Sequence, residues 1–219
     1  MYAGDSSDNV PVDLYVPGTT DPWECYNLVS QNGTAGAPVD LTTGANHGLF
    51  YTTKLIANGQ SFYCPSMGLG APEQTKYAYA NYVSASGLWP VYGYPGNTGG
   101  TWSPDLRSSY MYYPCSSQYI TANVPTSGYI VAKKLGQLNA NLVAMTDLIY
   151  DWNSIPHRSG SKPRALNVLW GDGHVKASSS PAAFANPALW GSNPSGAGGG
   201  NDAADNENQF LKIISYLQP

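Results

Sequence analysis

The groups in this chain that could do chemistry are few. Two of its three histidines, His157 and His174, fall in one stretch with Asp147, Asp151 and Asp172. Imidazole nitrogens and carboxylate oxygens together suit zinc or another transition metal. Asp147, His157, Asp172 and His174 are therefore candidate metal ligands, and a metal-dependent hydrolase at the His157, Asp172 and His174 region is the activity they would serve. The competing expectation is that Asp172 and Gly173 make a turn while the histidines hydrogen-bond to loops, since no His-x-x-x-His spacing is present. A second set of oxygen donors follows the glycine run near the C-terminus. There Asp202, Asp205 and Glu207 could hold calcium, which takes such ligands from loops. The alternative is a solvated loop ending in a helix cap. A third set is aromatic: Trp89, Tyr92, Tyr94 and Trp102 lie among prolines and glycines. Exposed rings stack on sugars, which would make the chain an extracytoplasmic carbohydrate-binding module. The same rings serve equally to pin long loops or to meet another subunit.

Cys25, Cys64 and Cys115 are an odd set for an exported protein and predict one disulfide plus one remaining thiol. Cys64–Cys115 and Cys25–Cys64 both fit, and small buried thiols are the alternative. No Cys-x-x-Cys zinc spacing, Gly-x-Ser-x-Gly elbow, phosphate loop or dinucleotide fingerprint is present. His47 stands alone between glycine-bounded segments and is expected to be structural.

The elements that must position these residues centre on a hairpin. Ala165–Trp170 is an apolar, partly β-branched run, followed by Gly171-Asp172-Gly173 and then His174–Ala177. An Asp-Gly pair between two such runs predicts a tight primed turn, because glycine takes positive φ cheaply. Val168 and Trp170 share one face and Leu169 the other, which predicts a strand covered on both sides. Leu142–Leu148 is a second apolar run expected to pair with Leu166–Trp170. That pairing would carry Asp147, and with it Asp151, towards His157, Asp172 and His174. Elsewhere the sequence predicts a helix over Leu49–Asn58 and strands at Val10–Val16, Tyr77–Val83, Ser108–Tyr113 and Tyr129–Ala132. Residues 178–205 have the composition of a flexible, low-complexity loop. A C-terminal helix is expected with Phe210, Ile213, Ile214 and Leu217 on one face and Asp205 as its cap.

Several short blocks carry a resemblance. His157, then Asn167-Val168-Leu169-Trp170-Gly171-Asp172-Gly173-His174-Val175, looks like the motif of the prepilin-type processing-associated family. Met1–Asn9 looks like the segment after that family's N-terminal helix. Phe62-Tyr63-Cys64-Pro65-Ser66 and Ser109-Tyr110-Met111-Tyr112-Tyr113 look like its Tyr-Cys-Pro-Ser and Ser-Tyr-x-Tyr elements. The blocks are scattered over most of the chain. Fourteen residues separate His157 from Asp172, a longer spacer than the family's own. Members resemble type II secretion pseudopilins and type IV pilins. The resemblance implies an α+β fold: a pilin-like antiparallel sheet with long irregular loops and short helices, its hydrophobic N-terminal anchoring helix absent from this chain. It also implies a cell-envelope location, periplasmic or extracellular, and it adds weight to a calcium ion at the C-terminal loop, which some pseudopilins hold.

Composition agrees with an extracytoplasmic, loop-rich protein. Charged residues make up 11% of the 219 positions, with 24 Gly, 17 Pro and 17 Tyr. Many rings and distinct apolar runs separate this from disorder. A net charge of −4 without a basic patch excludes nucleic acid as an expected partner. No apolar run of ~18 residues is present, so no membrane span is expected within the chain. Together these features predict a single head domain, 1–219, with a flexible Gly/Ser/Asn-rich segment at 191–204. The role the resemblance implies is a non-enzymatic structural subunit of a pseudopilus or type IV pilus-like filament. Its expected partners are other pilin-like subunits or the protein-transport machinery of a type II secretion system, with secreted cargo or a glycan as further partners. No cofactor is expected beyond a possible calcium.

Overall fold

The computed structural model describes residues 7–11, 14, 22–30, 33–69, 72–93, 105–120, 128–160, 162–191, 203 and 206–218. Seven strands run in order: β1 (Tyr110–Tyr112), β2 (Cys115–Ile120), β3 (Gly128–Val131), β4 (Val143–Asp147), β5 (His157–Ser159), β6 (Lys162–Trp170) and β7 (Val175–Ser178). Among the described residues three short α-helices accompany them: α1 (Leu49–Thr52), α2 (Pro181–Phe184) and α3 (Glu207–Tyr216). The architecture is α+β, with antiparallel pairing throughout.

β6 is the longest strand and the hub of a five-stranded sheet. β4 pairs with its second half, Thr146 opposite Val168 and Met145 opposite Leu169, as the two apolar runs predict. β7 pairs with Leu166–Leu169, and β5 with Lys162–Ala165. β1 extends the sheet beyond β4, with Met111 opposite Thr146. β2 and β3 form a separate two-stranded ribbon.

The alternation along β6 decides the packing. Leu166, Val168 and Trp170 are buried in one cluster with Phe210, Ile213, Ile214 and Leu217 of α3. Each such side chain taken out of water contributes roughly 1.5–3 kcal/mol. α3 exists because its apolar residues recur at helical spacing and Asn206 caps it, accepting from the Gln209 N–H at 3.2 Å. The expected cap, Asp205, lies outside the described residues; the cap is one residue later. The opposite face of β6, Ala165, Asn167 and Leu169, is half-buried, so the strand is not fully covered on both sides. A second cluster gathers Leu28, Val29, Phe62, Tyr63, Tyr82, Tyr92 and Leu106. Near the junction of the two cores, Arg107 donates to Asp105 at 2.7 Å and lies over the rings of Tyr26 and Tyr77.

Other expectations change in the structure. The hairpin turn is a three-residue loop: Gly173 donates to Trp170 O at 2.9 Å, and Gly173 alone carries positive φ, at 91°. A tight two-residue turn is replaced because the His174 N–H donates to Asp172 Oδ1 at 2.9 Å, while the Trp170 N–H donates to His174 O at 3.0 Å, closing the wider loop. The helix from Leu49 stops at Thr52, where Lys54 enters the left-handed region at φ 61°. Asn58 caps a following 3-10 turn, Gly59–Phe62, instead of ending a helix. Tyr77–Val83 is not a strand. It lies in 3-10 turns, Pro72–Tyr77 and Tyr79–Tyr82, that send Tyr77 into the first core and Tyr82 into the second. Of Val10–Val16, Val10 donates to Lys133 O at 3.1 Å, and most of the rest lies outside the described residues. Within 178–205, α2 and the turn Pro187–Leu189 are ordered, and Trp190 is fully buried. Residues 192–202, 204 and 205 lie outside the described residues. Among the described residues no helix is long and apolar enough to cross a membrane.

Candidate functional site

The ends of three separate elements meet where β4 leaves the sheet. Asp147 is the last residue of β4, His157 the first of β5, and Cys64 follows the 3-10 turn Gly59–Phe62. His157 Nε2 lies 3.1 Å from Asp147 Oδ2 and 3.6 Å from Cys64 Sγ. The three donor atoms all fall within 4.8 Å of one another. The Asn167 amide reaches the same imidazole nitrogen at 2.8 Å, and the Asn167 backbone N–H donates to Asp147 Oδ2 at 2.5 Å. The Cys64 N–H donates to the Ser109 hydroxyl, which ties the turn to the start of β1. Asp147 is fully buried, and its other oxygen, Oδ1, has no hydrogen-bond partner among the described residues. The His157 side chain keeps 30% of its surface exposed, so the cluster is open on one side.

The electrostatics follow from this packing. The hydrogen bond that the Asp147 carboxylate accepts raises the pKa of His157 against the opposing effect of burial. Burial first, and then the Asp147 charge, raise that of Cys64. Burial, Cys64 and Asp147 raise that of Tyr110. A nucleophilic cysteine needs its thiolate stabilised, and this surrounding does the reverse. A base in a relay also faces its nucleophile with one ring nitrogen and its orienting carboxylate with the other. Here Cys64 and Asp147 both address Nε2, so the geometry is one of convergence on a point.

Of the four residues expected to share a metal, the structure brings Asp147 and His157 together and leaves Asp172 and His174 elsewhere. His157 pairs with Ala165, while the turn begins beyond Trp170. Five strand residues at about 3.3 Å each place the turn roughly 16 Å further along β6. At the turn His174 Nδ1 lies 2.5 Å from Asp172 Oδ1, and its ring stacks on Trp170 at 4.4 Å. Both are half-exposed, and the Asp172 carboxyl is held below the usual range, chiefly by the His174 backbone N–H. Asp151 instead accepts from the Ser154 N–H at 2.6 Å.

For the calcium set, Glu207 lies in the first turn of α3, and Asp202 and Asp205 lie outside the described residues. For the aromatic set, Tyr94 and Trp102 also lie outside them. Tyr92 is buried in the second core. Trp89 stacks on Phe62 at 6.0 Å, meets the edge of Tyr51 at 4.8 Å and donates from Nε1 to Tyr63 Oη at 3.3 Å. These two rings pack the second core. Cys25, Cys64 and Cys115 are all buried, and no disulfide links them, so the expected Cys64–Cys115 pairing is not formed. Cys64 faces His157, and Cys115 lies in β2 opposite Val131. Cys25 and Cys115 accordingly act as small core residues.

Cys64 is the functional candidate that the spacing of the histidines and carboxylates does not indicate. It stands 93 positions from His157, and only the Tyr-Cys-Pro-Ser block signals it. No protein family, no characterised protein and no solved structure matches this chain.

Proposed function

We propose that this chain is the globular head of a pilin-like structural subunit in a pseudopilus or type IV pilus-like assembly, acting through subunit or cargo contacts in the cell envelope. The observation that carries the reading is where the resembling blocks fall. Cys64 of the Tyr-Cys-Pro-Ser block, Ser109 of the Ser-Tyr-x-Tyr block, His157, and Asn167 at the head of the Asn-Val-Leu-Trp run are joined in one network around Asp147. Blocks scattered over the sequence thus act together to lock a turn, a strand start and a strand end onto one sheet. That is the role of a scaffold motif. The antiparallel sheet with a C-terminal helix on one face supports the same reading. So do the burial of Tyr92 and the packing of half-buried Trp89 on Phe62, which engage half of the rings offered as a sugar platform.

The test is processing in the native cell. The pilin plan requires a prepilin peptidase to trim the precursor. Cells lacking that peptidase should accumulate a longer form of the protein and lose it from the envelope filament fraction. A protein of identical size and distribution in both strains would overturn the proposal.

A further inference from the structure

We propose that Cys64, Asp147 and His157 form a transition-metal site, with zinc the ion that best suits the donor set. Soft sulfur, imidazole nitrogen and carboxylate oxygen form a mixed set that zinc accepts in tetrahedral geometry. Metal–ligand bonds of about 2.3 Å to sulfur and about 2.0 Å to nitrogen and oxygen imply ligand–ligand separations of about 3.5 Å for S–N and about 3.3 Å for N–O. The structure has 3.6 Å from Cys64 Sγ to His157 Nε2 and 3.1 Å from His157 Nε2 to Asp147 Oδ2. Two of the three donor pairs thus already stand near the separations an ion would require, and the third lies within 4.8 Å.

A second observation is independent of those distances. Asp147 is fully buried, yet Oδ1 has no hydrogen-bond partner among the described residues. An unpartnered carboxylate oxygen in a protein interior is costly, and a cation beside the carboxylate would offset that cost. The supporting groups are those a metal site uses to hold its ligands. The Asn167 N–H fixes the carboxylate, and the Ser109 hydroxyl fixes the backbone of Cys64. The Asn167 amide stands 2.8 Å from the same Nε2, so turning that amide would present its oxygen as a fourth donor. On binding, the Cys64 thiol proton leaves to solvent as the S–metal bond forms. The imidazole presents the Nε2 lone pair, its proton resting on Nδ1. The ion has no redox part in this step. Its place between the end of β4, the start of β5 and the Cys64 turn makes it a clamp across the sheet.

Cobalt(II) titration of the whole chain, purified reduced and stripped with a chelator, tests the site. The expected result is one cobalt per chain, with a thiolate-to-cobalt charge-transfer band and tetrahedral visible absorption, both displaced by zinc. Cys64→Ser should abolish the charge-transfer band, whereas Cys25→Ser should retain it. His157→Gln should weaken cobalt binding by more than the roughly 10–100-fold that losing an outer-shell partner costs. Folding of each variant is followed by circular dichroism. Should Cys64→Ser fail to fold, the wild-type spectrum still decides. A wild-type protein showing no sulfur-to-cobalt band overturns the proposal and leaves a hydrogen-bonded ion pair beside a thiol. A band that survives in folded Cys64→Ser overturns it as well.

Discussion

His47 is held between the rings of Phe62 and Tyr112, with centroids 5.8 and 6.2 Å away, and neither of its nitrogens has a hydrogen-bond partner among the described residues. Burial lowers its pKa from 6.5 to about 3. The unfolded chain therefore binds a proton at this residue that the folded chain refuses, at any pH between those two values. The neutral imidazole's contribution to stability is complete above pH 6.5 and is lost progressively as pH falls towards 3. The slope is at most about 1.4 kcal/mol per pH unit. Urea denaturation at stepped pH should show His47→Leu losing that part of the acid dependence, and equal slopes in the two proteins would contradict the assignment. The structural role of His47 could be expected from its isolation in the sequence. The pairing of Asp147 with His157 could be read from the register of two apolar runs. Cys64 could not, because nothing local in a Tyr-Cys-Pro-Ser segment says that a histidine 93 positions later will face it.

Among the elements, the β6–β7 hairpin is the one whose sequence speaks most directly. Alternation and an Asp-Gly pair specify it locally, whereas its loop length depends on how Trp170 and His174 share hydrogen bonds. Its two glycines have different jobs. A Cβ on Gly173 would meet nothing within 4 Å, so only its φ of 91° opposes substitution. A Cβ on Gly171 would lie 2.2 Å from the Asn139 carbonyl oxygen, a backbone atom fixed by the neighbouring turn. Gly173→Ala should cost about 1 kcal/mol. Gly171→Ala should cost more, roughly 2–3 kcal/mol, since the Asn139–Leu142 turn must move. Thermal melts of the two variants give the order, and a smaller loss for Gly171→Ala would show that this turn yields freely. The misread elements, Leu49–Asn58 and Tyr77–Val83, share a cause. Leu49–Asn58 keeps a single α-helical turn, Leu49–Thr52, and Tyr77–Val83 lies in 3-10 turns; pieces this short leave no period in the sequence, and their tyrosines answer to the two cores rather than to a strand partner.

At the scale of the molecule, the aromatic richness visible in the composition is spent on a second core that has little regular structure. Trp89 tests that description. It is half-buried against Phe62 and Tyr51, and a Cβ on Gly59 would lie 2.3 Å from its indole. Trp89→Ala should lower unfolding free energy by roughly 2 kcal/mol in urea. An unchanged stability would return the ring to the role of a platform. The pairing of the two central apolar runs and the C-terminal helix follow from patterns along the chain, and the α+β class from the resemblance. The division into two cores does not, because it rests on contacts between distant segments. Those distances have a temporal consequence. Cys64 meets His157 across 93 positions, Gln74 bonds Ile155 across 81, and Tyr112 bonds Pro11 across 101. Contacts so far apart form late, after loop closure has been achieved. During synthesis from the N-terminus, Cys25 and Cys64 thus wait uncovered until the chain has grown as far as β6. The interval before burial is when an oxidant could join them wrongly, and it closes only when the last third of the protein arrives.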